Sequence, residues 1–253
     1  MLNIDLNCDI GESTSLWPYS IEHDISLLPY FSSVNIACGF HAGDADTILQ
    51  LLRAAVPLKI AVGAHPSFPD RENFGRKEMY FEEQDLYRII YQQVEFVASL
   101  ALSNGIRIQH VKPHGALYNM VARDHRMAFI VCSAIQAYDP ELVIYGLAGS
   151  EFIRVADCLG MKTYSEVFAD RTYQDDGTLT SRAKPNALID DAVHALEQVV
   201  QMATKGTVTS VTGKTIPVTT ETICIHSDGK YALMFAKIIR EALLQHGINI
   251  SHP

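Results

Sequence analysis

A parallel β/α barrel is the fold predicted by this 253-residue chain, and three features carry that expectation. Short aliphatic runs alternate with longer amphipathic stretches almost to the end, the order of β/α units in a parallel sheet. Seven such runs over this length suit closure into a ring, although a doubly wound open sheet has the same order of elements. The strands are also two-faced. One side is aliphatic and the other small or polar, whereas a strand covered by helices on both faces should be aliphatic on both. A helix-covered outside and a polar lumen explain the asymmetry. Residues 1–253 are expected to form one domain, because no Pro/Gly/Ser-rich linker and no internal repeat divides them.

Strand runs fall at 2–8, 33–38, 59–65, 106–112, 142–147, 162–166 and 221–226. In the first, Asp5, Asn7 and Asp9 share one side and Ile4, Leu6 and Cys8 the other. The second opposes Val34, Ile36 and Cys38 to Asn35, Ala37 and Gly39, and the third opposes Ile60, Val62 and Ala64 to Ala61, Gly63 and His65. His110, Lys112 and His114 share a side of the fourth, and Cys224, His226 and Asp228 a side of the last. Helical patterns lie near 44–56, 82–104, 124–138, 150–159, 187–204 and 229–246. The clearest is 82–104, with a stripe of Leu86, Ile90, Val94, Val97 and Ala101. Ser150, Asn186 and Asp228 offer N-cap side chains just before helical patterns, and Asp44 does so after a Gly-containing turn.

Composition narrows the function classes. Apolar residues at 48% and charged residues at 19% allow a sizeable core. The net charge of −9 argues against non-specific nucleic-acid or anionic-membrane binding. No run approaches the roughly 18 apolar residues of a membrane helix, and Asp5 interrupts the start where a signal peptide would need an apolar run. The five cysteines are odd in number, far apart and without a C-x-x-C pair. A disulfide framework or thiolate zinc site is therefore not expected, and the implied compartment is reducing, most simply the cytoplasm.

The chemistry-bearing residues gather near strand C-termini, where ligands bind in such folds. Two carboxylates and an amide on one strand side (Asp5, Asn7, Asp9) suit cation ligation, general-base work or the orientation of histidines. His41, His65, His114 and His226, four of ten histidines, lie at or just beyond strand ends. Lys112 on a lumen side needs an anionic partner, for which Asp5, Asp9 and Glu166 are candidates. Arg71, Arg76 and Lys77 form a cationic loop suited to a carboxylate or phosphate, and Asp170 and Arg171 follow the sixth strand. Gly206 to Thr215 is not a phosphate loop, since six residues separate its glycines where four are required, and the flanking runs read as a β-hairpin. Neither G-x-S-x-G nor H-E-x-x-H occurs. Residue chemistry alone stops at a barrel hydrolase acting on a small anionic substrate.

Six segments together resemble the LamB/YcsF family: DLNCDIGES, NIACGFHAGD, GAHPSFPDRENFGRK, HVKPHGALYN, the stretch from Glu166 to Tyr173, and ICIHSD, spread between residues 5 and 228. Ser227 departs from the family's usual Gly, Cys8 from Ala and Asn186 from Gly. The resemblance implies an incomplete, seven-stranded β/α barrel similar to the glycoside hydrolase and polysaccharide deacetylase folds. It also implies the A component of a bacterial ATP-dependent 5-oxoprolinase, which works in a complex with subunits B and C to open 5-oxo-L-proline to L-glutamate. In that setting Asp5, Asn7, Asp9, His41 and His65 would position water or move protons. Lys112 would stabilise an oxyanion or phosphate, and His114 or His226 would protonate the ring nitrogen. Arg71, Arg76 or Arg171 would hold the substrate carboxylate, with Glu166, Asp170 and Asp228 beside it. ATP is the implied co-substrate, met through the partner subunits because no phosphate loop is present. Two other readings stay open: a metal-dependent deacetylase or sugar hydrolase, and a non-catalytic lactam-binding scaffold. The metal content, the general base and the oligomeric state are undetermined by the residues.

Overall fold

The computed structural model describes residues 2–14, 20–227 and 231–252. In chain order it contains β1 (Asn3–Ile10), α1 (Ile21–Leu27), β2 (Ser33–Ala37), α2 (Ala45–Ala55), β3 (Ala61–His65), α3 (Glu83–Ser103), β4 (His110–Val111), α4 (Gly115–Val121) and α5 (His125–Tyr138). Then follow β5 (Val143–Leu147), α6 (Glu151–Cys158), β6 (Thr163–Phe168), α7 (Ala192–Lys205), the antiparallel pair β7 (Thr207–Thr209) and β8 (Thr215–Pro217), β9 (Thr222–Cys224), α8 (Ala232–Gln245) and β10 (Asn249–Ile250). Strands β1, β2, β3, β4, β5, β6 and β9 pair in that order, all parallel, and β9 returns to β1. The ring is closed, so the open-sheet alternative is excluded. β10 pairs with the start of β1, and the expected hairpin near Gly213 is present.

The two-faced strands do what their parity requires. Ile4, Leu6, Cys8 and Ile10 are buried in the apolar layer with the α3 stripe of Leu86, Ile90, Val94, Val97 and Ala101, while Asp5, Asn7 and Asp9 are buried on the lumen side. Several boundaries differ from the sequence pattern. α7 starts at Ala192 under an Asp191 cap, because residues 187–189 pair instead with the segment after β6: Arg171 bridges Leu188, and the Asn186 carbonyl accepts from the Thr172 hydroxyl. Asn186 is thus no cap. β4 is only two residues long, with single backbone hydrogen bonds from Gln109 and Lys112 to β3 on either side. Pro113 follows, which has no N–H to continue the ladder. α1 and α4, each seven residues, were not apparent from the periodicity, since two turns hold too few positions to show a stripe. Asp228, proposed as a cap and a substrate contact, lies outside the described residues. Among the described residues no helix is long and apolar enough to cross a membrane.

α1 matters for the site because Asp24 accepts the Gly11 N–H at 2.8 Å and so fixes the turn beyond β1. Burial pushes this carboxyl up to about 6. A raised carboxyl stabilises the fold while protonated, and that contribution is lost as pH rises through 6. Between pH 4.5 and 7 the loss is about 2 kcal/mol. Asp24→Asn keeps the acceptor and removes the titration. Urea denaturation at the two pH values should therefore show the variant gaining about 2 kcal/mol on the wild type, and a pH-independent difference would refute the assignment.

Candidate active site

Lumen side chains of β1 climb through three environments. Asp5 takes hydrogen bonds from Ser32, Ser33 and Thr222 at 2.6–2.7 Å and is fully buried. Desolvation raises its pKa against those three donors. At about 3.3 Å per residue, Asp5 sits roughly 13 Å below Asp9. It does not line the cavity that Asp9 reaches, so the part expected of it in positioning water or moving protons gives way to a structural one.

Asn7 occupies the middle. Its amide donates to Glu166 at 2.9 Å and Thr222 at 2.7 Å, and its oxygen accepts from Asn35 at 2.8 Å and Lys112 at 3.2 Å. Asn35 also donates to Asp9 at 2.8 Å and accepts from His110 Nε2 at 2.8 Å. The His110 ring is stacked on Tyr145, 4.1 Å between centroids, and burial pushes its pKa down to about 3. It is a neutral, structural imidazole.

Above this layer the Lys112 ammonium lies 3.0 Å from Asp9, 2.7 Å from Glu166 and 3.1 Å from the Cys224 sulfur. Glu166 is completed by the Tyr118 hydroxyl at 2.7 Å. Burial works against both charges, yet the ion pairs prevail. They hold Lys112 well above the usual lysine range, and His65 with Lys112 holds Asp9 well below the carboxylate range. Asp5, a third candidate partner of Lys112, is engaged elsewhere.

At the mouth, Glu12 gathers three imidazoles. Its Oε1 is 2.8 Å from His114 Nδ1, 3.1 Å from His41 Nε2 and 3.4 Å from His65 Nε2. His65 donates through Nδ1 to the Lys112 carbonyl at 2.7 Å, and His114 through Nε2 to the Phe74 carbonyl at 2.9 Å. Burial favours neutral imidazoles, and His41 is pushed down to about 3 and His114 downward. His65 is the exception, held up at about 9 because Asp9 and Glu12 outweigh its burial. Gly75 packs under this cluster with φ +65°, where an added Cβ would stand 2.2 Å from the Ser67 hydroxyl.

Across the mouth, His226 Nδ1 meets the Asp170 carboxylate at 2.9 Å, and its ring stacks on Phe168. Asp170 is absent from the cavity lining, so its expected contact with substrate gives way to this pairing with His226. Burial opposes its ionisation, but His226 keeps its pKa below the usual value. The Ser227 hydroxyl donates to the Asp9 carbonyl at 2.7 Å, a tie between β9 and β1 that glycine could not make.

Asp9, Glu12, His65, Lys112, His114 and His226 line a single cavity of about 720 Å³. Arg76, Arg123, Arg171 and Arg182 stand on its walls, four cations in an acidic protein. Arg171 is anchored through Nε and an amino group to the carbonyls of Ala187 and Thr180. Arg71 is absent from the walls; it donates to the Gly39 and Gly43 carbonyls at 3.0 and 3.1 Å, clamping the β2–α2 loop. Its expected substrate contact is thus replaced by a structural role. Glu12, Asn35 and Tyr118 were not assigned roles from sequence. Asn35 was readable from strand parity, but Glu12 was not, because Gly11 at φ +73° turns the chain out of the period-2 pattern. Two groups place ligand-type atoms within 4.8 Å of one another: Glu12, His41 and His114, and Asp9, Cys224 and His226.

A profile of the LamB/YcsF family matches residues 4–253. The A component of 5-oxoprolinase from Tolumonas auensis is 48% identical over 250 residues, 99% of each chain. Its counterpart from Brevibacillus brevis is 46% identical, over 99% of this chain and 98% of its own. The crystal structure of a lactam utilization protein from Thermus thermophilus superposes with a TM-score of 0.90 at 36% identity, covering 99% of both chains. A family 4 carbohydrate esterase from Streptomyces lividans shares the fold, with a TM-score of 0.50 at 12% identity over 99% of this chain and 92% of its own.

Proposed function

Because the chain belongs to the LamB/YcsF family, we propose that it acts as the A component of an ATP-dependent 5-oxoprolinase, opening 5-oxo-L-proline to L-glutamate with subunits B and C. The observation that carries this reading is the cationic-walled cavity whose floor holds buried carboxylates and imidazoles. Arg76 and Arg182 suit the substrate carboxylate. An unstrained lactam is a poor electrophile, so its oxygen is first phosphorylated from ATP. The chain carries no phosphate loop, and the partner subunits are the source of that step. Water then adds to the activated carbon and the ring C–N bond breaks, its electron pair and a proton going to nitrogen. A second water releases phosphate from the resulting acyl phosphate to leave glutamate.

In this scheme Asp9 is the base for the attacking water, and His226, held by Asp170, is the acid for the ring nitrogen. Lys112 plays a different part from an oxyanion donor. Its three protons face Asp9, Glu166 and the Asn7 and Cys224 acceptors, so it neutralises and positions the carboxylates. The five unpaired cysteines support a reducing, cytoplasmic setting. Glutamate formation should be measured with all three subunits and ATP. Asp9→Asn is expected to lower the rate by about 10²–10⁴, and absence of ATP-coupled opening by the wild-type assembly would refute the function.

A further inference from the structure

We propose that Glu12, His65 and His114, with His41 behind them, hold a divalent transition-metal cation of the zinc type at the mouth of the barrel. The inference goes beyond the lactam reading and stands without it. It starts from proton accounting. His65 gives its Nδ1 proton to the Lys112 carbonyl, and His114 gives its Nε2 proton to the Phe74 carbonyl. Neutral His114 therefore presents a lone pair at Nδ1, while His65, which Asp9 and Glu12 hold protonated, presents one at Nε2 once a cation displaces that proton. Those two nitrogens are 3.0 Å apart, and the Glu12 Oε1 acceptor is 2.8 Å from one and 3.4 Å from the other.

Three ligand atoms thus converge with a single proton, on His65, among them. One proton, on His65, leaves the 2.8 Å contact between Glu12 and His114 unserved. Serving both contacts requires two added protons, each confined to one contact, where a single dication meets all three atoms at once. The spacing fits: tetrahedral ligands at about 2.0–2.1 Å from zinc lie about 3.3 Å from one another. Metal-binding imidazoles characteristically donate their other N–H to a backbone carbonyl, as both do here. Phe74 even adopts a left-handed backbone, φ +56°, while offering its carbonyl to His114, a conformation costly for a bulky residue. His41 Nε2 approaches Glu12 at 3.1 Å from a fully buried position, and its Nδ1 has no hydrogen-bond partner among the described residues.

Charge balance points the same way. Asp9, Glu12 and Glu166 against Lys112 leave two negative charges, of which the proton on His65 offsets one and a dication in its place offsets both. The other ligand-type group, Asp9, Cys224 and His226, is already served, since the Lys112 ammonium lies 3.0 Å from Asp9 and 3.1 Å from Cys224. Glu12, His65 and His114 face the cavity, so the cation would be open to a water or a substrate oxygen.

The test reads binding, not turnover. Chelator-stripped full-length protein is titrated with Zn²⁺ by calorimetry and with Co²⁺ by visible absorption, with circular dichroism as a check on folding. One equivalent should bind, with a ligand-field spectrum of low-symmetry cobalt. Glu12→Gln and His114→Ala should each weaken binding at least about 100-fold, while His226→Ala retains it. The isosteric Glu12→Gln keeps the test decisive if His114→Ala does not fold. No uptake by the wild type, equal uptake by Glu12→Gln, or loss confined to His226→Ala overturns the site. Lactam opening without metal uptake would remove this inference and leave the proposed function standing.

Discussion

Lys112→Met is expected to lower the unfolding free energy by about 3–5 kcal/mol, the usual cost of removing one partner from a buried ion pair. Two carboxylates, Asp9 and Glu166, would lose their countercharge in a site where Lys112 is 2% exposed and Glu166 fully buried. Methionine approximates the aliphatic stem, so the cavity term is small and the electrostatic one dominates. Urea denaturation of the wild type, Lys112→Met, Glu166→Gln and the double variant forms the decisive cycle. The double variant should be more stable than the sum of the single losses by more than about 1 kcal/mol, because neutralising Glu166 removes one of the uncompensated charges. Additive losses would mean that the ammonium and Glu166 are not coupled. The variant should also fail in glutamate formation, since Asp9 loses one of the two cations that hold it ionised and positioned.

Gly63→Ala is expected to cost about 3 kcal/mol or more, although alanine ordinarily suits a strand no worse than glycine. A Cβ at Gly63 would stand 2.2, 2.3 and 2.7 Å from Nε2, Cδ2 and Cε1 of His110. The ring cannot retreat, because Tyr145 stacks on it at 4.1 Å and Asn35 engages its Nε2. Moving it breaks the hydrogen bond to Asn35, which orients both Asn7 and Asp9. Denaturation of Gly63→Ala, His110→Ala and the double variant separates this from a general strand effect. The alanine at 63 should be far less damaging once the imidazole is gone, and an unchanged cost in the His110→Ala background would rule out the steric account.

Much of the site was readable along single strands. Asp9, His65 and Lys112 sit at the lumen mouth as their alternation requires, and Lys112 has the acidic partners that its burial demanded. The failures share a cause. Asp5 has the same parity as Asp9, but parity names a face and not a depth. Arg71 looked like a free cation because its acceptors, the Gly39 and Gly43 carbonyls, lie about 30 residues away and carry no side-chain signature. Glu12 was passed over because the turn at Gly11 ends the alternation just before it.

The order of β/α units, the apolar outside and polar inside, and the side of each strand facing the lumen all follow from local periodicity, which each segment carries in its own residues. Partnership does not. Glu12 meets His114 and Lys112 meets Glu166 only because the ring closes and its strands set their relative heights through backbone pairing. Electrostatics over about 3 Å is decided by that closure, which no stretch of chain encodes alone.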